Sequence, residues 1–274
     1  MKKLFTIYFT LGVLTLCNAQ ETKIKGDRDV LSVTKELPKG ITTVEVDNGI
    51  EVKLVQGETD NYVLTTDRNL VSVIDFTVKD SILTISTNLK ITQSKSLEVY
   101  LKLQNPKSLI LKDDAKIETP GLIQAENFSI TAYKSSHLDV NIKSTECQIN
   151  LLDNSGGEIN VDSEQVTLMM KDRTDLKGDF NITNSVITLQ DSAEFTPEGK
   201  TENLTLTTEG TSDFKGRRFQ GKSFDITLNK RSKASVHASD KLNVFAKDKS
   251  TVEVYGSPEI NVVALSDKAE IVKK

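Results

Sequence analysis

The sequence predicts an all-β fold, a right-handed parallel β-solenoid with turns of about 19 residues. A short motif returns at a nearly constant interval through the second half of the 274-residue chain. Hydrophobic and polar residues alternate within each copy, which is the period of a strand with one buried face. Thr, Ser, Val, Ile, Leu, Asn, Asp and Lys dominate the composition, whereas aromatic residues make up 5% and Trp is absent. These residue types favour strands and turns.

The repeat is anchored on the string Asp-x-Ser/Thr/Ala-x-hydrophobic, as in Asp172–Leu176 and Asp191–Phe195. We call the last position of each copy the anchor. The anchors of nine successive copies are Ile117, Leu138, Gly157, Leu176, Phe195, Phe214, Ala234, Val252 and Ile271. They are 18 to 21 residues apart. So regular a spacing indicates stacked supersecondary units.

Three further columns accompany the anchors. The column eight residues before them is aliphatic throughout: Leu109, Ile130, Ile149, Leu168, Ile187, Leu206, Ile226, Val244 and Val263. The column six before is mostly apolar: Leu111, Ala132, Leu151, Met170, Leu189, Thr208, Leu228, Ala246 and Leu265. The column two before is small: Ala115, Ser136, Ser155, Thr174, Ala193, Ser212, Ser232, Ser250 and Ala269.

These columns have a simple physical explanation. One turn of two or three short strands cannot bury its apolar face alone, but stacked turns pair in parallel about 4.8 Å apart. The aliphatic columns then become ladders inside the solenoid, and the small column marks a tight corner. Right-handed winding is the default for parallel connections. Residues 104–272 are therefore expected to form nine turns, a rod of roughly 40 Å.

The preceding segments are less regular. Residues 20–39 are expected to be an N-terminal extension, and residues 40–103 to form less regular strands such as Ile50–Leu54 and Leu97–Leu101. Asn48-Gly49 between two alternating runs is a strong hairpin signal. It also suits a corner between turns, and the sequence leaves both alternatives open.

Residues 1–19 have the pattern of a signal peptide. Lys2 and Lys3 precede an apolar run, and small residues follow before an expected cut at Gln20. Cys17 leaves lipidation open as an alternative to simple cleavage. We therefore expect an exported protein in the periplasm, at the outer-membrane surface or secreted, with no membrane span in the mature chain. The net charge of −4 argues against nucleic acid as a partner.

The stretch Val44–Gly57, which reads VEVDNGIEVKLVQG, resembles the opening motif of the putative auto-transporter adhesin head GIN domain family. The resemblance extends over roughly residues 40–270 and implies stacked β coils. The chain departs from the family pattern at Glu51, where the family has Asn, and at its corners, which are Asp-rich here. The family brings no catalytic residues with it.

An Asp column lies four residues before the anchors: Asp113, Asp153, Asp172, Asp191, Asp248 and Asp267. Stacked carboxylates can bind Ca²⁺, which takes several oxygen ligands. They can also cap their own turns by accepting from backbone amides. Lys134, Gly210 and Lys230 interrupt the column, so we favour turn capping.

Other candidate residues point to no chemistry. His137 and His237 are five turns apart, so a zinc site between them is not expected. Cys147 shares a column with Phe128 and Val166, and we expect it to be buried and inert. The cluster Lys215-Gly216-Arg217-Arg218, with Lys222, suits either an anionic ligand or a solvated turn.

No catalytic, cofactor-binding or metal-binding residue is therefore assigned, and no cofactor is expected. The leading hypothesis is a non-enzymatic cell-envelope or secreted binding module, adhesin-like, with a surface glycan or an envelope protein as partner. The alternative is a polysaccharide lyase or hydrolase on a β-helix. Such enzymes need two convergent carboxylates. A concave cleft that gathers the outward charges would favour the enzyme, and an even spread along the rod would favour the binder.

Overall fold

A computed structural model describes residues 22–274 of the protein. Along most of this length, each strand pairs in parallel with the equivalent residues one turn away. The molecule is a β-solenoid of about 9 turns with coils of about 19 residues, as predicted. The expected signal peptide, residues 1–19, and Cys17 lie outside the described residues. Within residues 22–274, no helix has the length and apolar character needed to cross a bilayer.

The regular part of the solenoid begins with β10 and β11. Its strands are β10 (Ser108–Leu111), β11 (Lys116–Ala132), β12 (His137–Leu151), β13 (Gly156–Met170), β14 (Asp175–Leu189), β15 (Glu194–Thr208), β16 (Asp213–Leu228), β17 (Lys233–Ala246), β18 (Thr251–Gly256), β19 (Glu259–Leu265) and β20 (Glu270–Lys273). From β11 to β17, a turn is one long strand closed by a four-residue turn, and not two or three separate strands. The strand bends where two successive residues face outward, as at Thr183 and Asn184.

The predicted ladders form in register. Ile149 pairs with Leu168, Leu168 with Ile187, and Ile187 with Leu206. Their side chains are almost fully buried, since Ile187 exposes 2% of its surface. The anchors pair in the same way, and Leu176 lies between Gly157 and Phe195. Burying one large aliphatic side chain contributes about 1.5–3 kcal/mol.

One predicted column member is wrong. The repeat predicts Val263 in the aliphatic column, but the ladder slips by one residue between Val244 and Phe245, so Val262 pairs with Val244. Val263 becomes the extra residue of this irregularity and is 64% exposed. Two adjacent valines satisfy the alternation equally well, which is why the pattern could not separate them.

The small column marks a real corner, and its hydroxyls have a role beyond size. Ser155 Oγ donates to the Leu152 carbonyl three residues earlier at 2.8 Å. Equivalent bonds from the other serines in the column measure 2.8–2.9 Å: Ser136 to Tyr133, Ser212 to Glu209, Ser232 to Asn229 and Ser250 to Lys247. The serines thereby satisfy carbonyls that the four-residue turn leaves outside the ladder.

The N-terminal region joins the same stack and closes its end. Its elements are β1 (Lys23–Lys25), β2 (Val30–Glu36), β3 (Thr43–Val46), β4 (Glu51–Gln56), β5 (Asn61–Asp67), a 3-10 helix (Arg68–Val73), β6 (Ile74–Lys79), β7 (Ile82–Thr87), β8 (Lys90–Gln93) and β9 (Leu97–Leu103). Strands β3 and β4 extend the solenoid in parallel, pairing with β10 and β11 on one side. On the other side they pair with β7 and β9.

Antiparallel strands cover this end. β6 pairs with β7, while β5 pairs with both β9 and β2. β2 comes from the expected N-terminal extension, so that segment contributes to the sheet. Since β3 and β4 pair with other strands and not with each other, Asn48-Gly49 is a corner and not a hairpin. Both residues have positive φ, 59° and 69°.

Candidate binding groove

A polar groove of about 1200 Å³ runs along one corner of the solenoid. Its floor is a column of mostly small, largely buried residues. These are Ala125, Ser144, Ser163, Ile182, Thr201, Gly221 and Ala238, which pair in register from β11 to β17. Because the floor side chains are small, the exposed side chains of the two flanking columns project beyond them on either side. At about 4.8 Å a turn, seven turns extend the groove over about 29 Å.

Two exposed columns form the walls. One wall contains Gln124, Lys143, Asp162, Asn181, Lys200 and Gln220. The other contains Thr145, Glu164, Thr183, Glu202 and Lys222. Both walls present amide, hydroxyl, ammonium and carboxylate groups on a hydrogen-bonded strand scaffold. The groove therefore offers many polar contacts at a regular interval and no apolar pocket.

The floor hydroxyls hold the corner together. Thr145, Glu164 and Thr183 lie where the ladder between turns is interrupted. Ser163 Oγ bonds the Thr145 carbonyl at 3.0 Å, and Thr201 Oγ1 lies 3.3 Å from that of Thr183.

The groove charges pair with each other from turn to turn. Lys143 Nζ lies 3.3 Å from Asp162 Oδ2, and Lys222 Nζ lies 2.6 Å from Glu202 Oε1. The Glu202 carboxylate raises the pKa of Lys222, chiefly through this hydrogen bond. These pairs are exposed and contribute little to stability. They distribute the charge along the groove, and they do not gather two carboxylates at one point.

One end of the groove opens into a second hollow of about 500 Å³. His237 and Gln220 line both. The Arg217 guanidinium carbon lies 5.2 Å above the centre of the Tyr255 ring, within cation–π range. His237 Nδ1 lies 3.1 Å from the Arg217 carbonyl, so Nδ1–H donates to it. This end adds an aromatic side chain to the polar groove.

The basic cluster belongs to this region and not to a turn, which corrects the solvated-turn interpretation. It lies within β16, where the pairing slips by one residue between Phe195 and Glu198 of the neighbouring strand. Lys215 pairs with Glu194, and Arg218 Nη2 lies 2.8 Å from Glu198. In residues 22–274, Arg217 forms no ion pair, so its charge is available at the end of the groove.

The Asp column has a different role from the one predicted. Its position has positive φ in all nine turns, between 45° and 84°, including at the interrupting Lys134, Gly210 and Lys230. Asp tolerates this left-handed conformation better than most residues. Asp153 Oδ2 accepts from the Lys134 amide at 3.0 Å, and Asp248 Oδ2 from the Lys230 amide at 3.0 Å. These carboxylates thus bond the preceding turn, so the prediction that each caps its own turn is wrong.

Residues 22–274 contain no cluster of metal-binding side chains, and their free cysteine is buried. Over residues 22–274, no three His, Cys, Asp or Glu side chains are placed to hold a metal ion. His137 is exposed on β12, far along the chain from His237 on β17. Cys147 is buried, as predicted, between Phe128 and Val166. Burial raises the pKa of its thiol to about 12, so it is neutral at physiological pH.

The shifted carboxyl groups lie away from the groove. The pKa of Asp47 is raised, first by burial and then by the nearby Asp113 carboxylate. The pKa of Asp113 is lowered, chiefly by its hydrogen bond with Lys134. Burial also raises the pKa of Asp213. None of these three side chains lines the groove.

Sequence reasoning missed the groove because it followed one small column only. The floor is a second small column, 13 residues before the anchors in six turns and 14 in the last. It is broken by Ile182, and its neighbours on both sides are polar, so it does not stand out from the strand alternation. Comparing all 19 positions of the repeat for side-chain size would have located this corner.

Comparisons with known proteins point to one family and one fold. The family model described as putative auto-transporter adhesin, head GIN domain, matches residues 40–160 and 149–258. A putative adhesin of Parabacteroides distasonis has a similar structure, with a TM-score of 0.66 at 17% identity over 92% of this chain and 97% of that one.

Two other solved structures are similar. A putative adhesin of Parabacteroides merdae has a TM-score of 0.65 at 11% identity, over 92% of this chain and 99% of that one. A putative lipid binding protein of P. distasonis has a TM-score of 0.64 at 13% identity, over 92% and 97%. No curated protein sequence matches this chain significantly.

Proposed function

Because this chain belongs to the putative auto-transporter adhesin head GIN domain family, we propose that it is an exported, non-enzymatic binding module whose corner groove holds a surface glycan. The observation that carries the proposal is the groove itself, a concavity of about 1200 Å³ that crosses seven turns and is lined mainly by polar residues. Polymers with a repeating unit suit such a site, since each turn presents polar side chains at the same two wall positions. Weak contacts at several turns then add up to useful affinity.

The chemistry of the walls favours a hydroxyl-rich ligand. Asn181 and Gln220 offer both donors and acceptors, while Lys200 donates and Glu164 accepts. A lipid chain would need an apolar channel, and the walls and floor offer few apolar side chains. At the groove end, the Arg217 guanidinium that lies over the Tyr255 ring can donate to a ligand oxygen. A partner protein is a weaker candidate because the groove lacks the apolar centre of a typical interface.

The polysaccharide-cleaving alternative rests on the concavity of the groove, whose lining includes Asp162, Glu164 and Glu202. Binding is favoured because Asp162 and Glu202 pair with Lys143 and Lys222 of adjacent turns.

The test is a binding panel that also monitors cleavage. The purified chain is incubated with peptidoglycan, lipopolysaccharide, mucin, a neutral glucan and an acidic uronan, and bound protein and released sugar are both measured. We expect retention by at least one glycan without product. Released oligosaccharide would favour the enzyme, and retention by none would contradict the proposal.

Two matched variants locate the binding site. Thr183 on β14 lies in the groove wall, whereas Thr205 on β15 is also exposed but lies outside the groove. Thr183→Tyr should obstruct the groove and weaken binding at least tenfold, while Thr205→Tyr should leave it unchanged. Equal effects of the two variants would place the glycan elsewhere.

A further inference from the structure

The turns of the solenoid differ in length at the end of the groove. Successive anchors are 20 residues apart across β16 and 18 apart across β17. The ladder between these two strands shows where the difference lies, since Lys215 pairs with Ser235 and the next pair is Gln220 with His237. Four residues of β16 are therefore opposite one residue of β17. Such a bulge re-aims side chains, and bulges are common next to active sites.

This bulge forms one wall of the second hollow. Two of its residues, Arg217 and Arg218, line the hollow together with His237 and Tyr255. Between β14 and β15 the equivalent stretch pairs residue by residue, from the start of the strands to the groove floor. The hollow is thus a local feature of the turn that carries the two arginines, and the repeat does not produce it at every turn.

The Arg217 guanidinium is held in place on two sides. Its central carbon lies 5.2 Å from the centre of the Tyr255 ring, and the Arg217 carbonyl accepts from His237 Nδ1–H at 3.1 Å. A guanidinium can contact an aromatic ring and still present N–H donors, because it carries five of them in one plane. The fork of two parallel N–H groups matches the oxygens of a carboxylate, sulfate or phosphate.

The other charges of the hollow leave Arg217 unneutralised. Arg218 Nη2 lies 2.8 Å from Glu198 Oε1, so these two side chains compensate each other. Arg217 has no carboxylate partner of this kind in the part of the chain that the structure describes. The remaining carboxylate, Asp179, lies on β14, two turns from β16 and about 10 Å away along the stack. Salt screens much of the repulsion at that distance.

We propose that Arg217 forms an anion subsite at the end of the groove, so that the ligand is an acidic glycan. The inference rests on the proposed function, because the groove must hold the polymer that carries the anion. Gln220 lines both the groove and the hollow, so a chain lying in the groove reaches Arg217 at its end. A uronate carboxylate, a sulfate ester and a phosphate ester share the required chemistry, since each offers two oxygens to the guanidinium fork.

The first test uses small anions and no glycan polymer. Sodium glucuronate, sulfate and phosphate are each titrated into the 15N-labelled chain at constant ionic strength, with sodium chloride as the reference. The arginine Nε–Hε signals are followed by NMR, and Arg217→Gln identifies the signal of Arg217. We expect a saturable shift at Arg217, and the anion that binds most tightly identifies the source of the charge.

Arg231 is the internal control of this titration. It is exposed in the turn between β16 and β17 and lines neither the groove nor the hollow. Its signal should not move. The absence of a saturable shift at Arg217 with all three anions, or equal shifts at Arg217 and Arg231, would overturn the subsite whether or not the chain binds glycans.

The second test asks whether the anion selects the polymer. Polygalacturonate is compared with its carboxyl-reduced form, and dextran sulfate with dextran. The wild type should bind at least one acidic polymer about tenfold more tightly than its neutral form. Arg217→Gln should remove this difference and leave the neutral polymer unaffected, whereas Arg231→Gln, with the same loss of charge, should retain it.

The two proposals fail in different ways. Neutral and acidic forms bound equally by the wild type would overturn the acidic ligand, while glycan binding itself would stand. A difference that survives in Arg217→Gln would overturn the assignment to Arg217. A saturable anion shift at Arg217 in a chain that no glycan of the panel retains would support the subsite and contradict the glycan-binding function.

Discussion

Ile187 gives the sharpest test of the ladder, because the adjacent residue is its control. Ile187 is 2% exposed between Leu168 and Leu206, whereas Val186 points outward on the same strand and is 48% exposed. Replacing Ile187 by Asp removes a buried apolar side chain, a loss of about 2 kcal/mol. Keeping the buried carboxyl neutral at pH 7, about three units above its ordinary pKa, costs a further ~4 kcal/mol.

The expected destabilisation is therefore about 6 kcal/mol at pH 7, a large part of a typical domain's stability. The sign of the pH dependence follows from the raised pKa. The folded state binds the proton more tightly than the unfolded state, so the penalty grows above pH ~4 by about 1.4 kcal/mol per pH unit and is absent below it. Ile187→Asp should cost only about 2 kcal/mol near pH 4.

Urea unfolding followed by circular dichroism at pH 4 and pH 7 measures both values. Val186→Asp should cost less than about 1 kcal/mol at either pH, as surface substitutions usually do. If Ile187→Asp does not fold at pH 7, Ile187→Ala should still cost about 2–4 kcal/mol. Equal stabilities for the Ile187→Asp and Val186→Asp variants would refute the in-register ladder.

Three other predictions concern the corners and the thiol. Native Cys147 should resist a thiol reagent that labels the urea-unfolded chain. Because burial raises the pKa of the Cys147 thiol in the folded state, the wild type should lose stability relative to Cys147→Ala as pH rises from about 9 towards 12. Asp191→Ala should cost about 1 kcal/mol and Asp191→Gly less, because φ at this position is 62°. Adding a chelator should not shift the melting temperature of the wild type or of either variant. A chelator effect on the wild type that the variants lose would instead indicate a calcium site. Ser155→Ala should cost about 1 kcal/mol by losing its bond to the Leu152 carbonyl. Thr174→Ala should be nearly neutral in thermal melts, because the buried Thr174 hydroxyl has no hydrogen-bond partner within residues 22–274. The opposite order of the two costs would contradict this account of the corners.

The repeat could be predicted because its signals reinforce each other. Alternation identified the inward positions, the near-constant spacing identified the stacking, and Phe195 and Leu176 fell into register as expected. The slip at Val263 could not be predicted, since exchanging two adjacent valines leaves the hydrophobic pattern unchanged. Register at the last turn is set by what lies above and below, and that turn has a neighbour on one side only.

The N-terminal cap and the groove depend on contacts that no local pattern encodes. The sequence of β5 has the alternation of an ordinary strand. The strand covers the N-terminal end of the solenoid only because it pairs with β2 and β9. Likewise, Asp153 looks like a turn-capping residue, but its carboxylate reaches the amide of Lys134 one turn earlier. Groove walls such as Asn181 and Lys200 are typical solvated strand positions until the small floor between the two wall columns is recognised.

The account of function is tested most directly by the length dependence of binding. Oligosaccharides of increasing length, cut from a glycan that the panel retains, are titrated into the purified chain by calorimetry. If the groove binds an extended polymer across seven turns, affinity should rise with length until the fragment spans about 29 Å and then level off. Thr183→Tyr should weaken the long fragments most. An affinity that is already maximal for a single sugar, or that Thr183→Tyr leaves unchanged, would contradict the account.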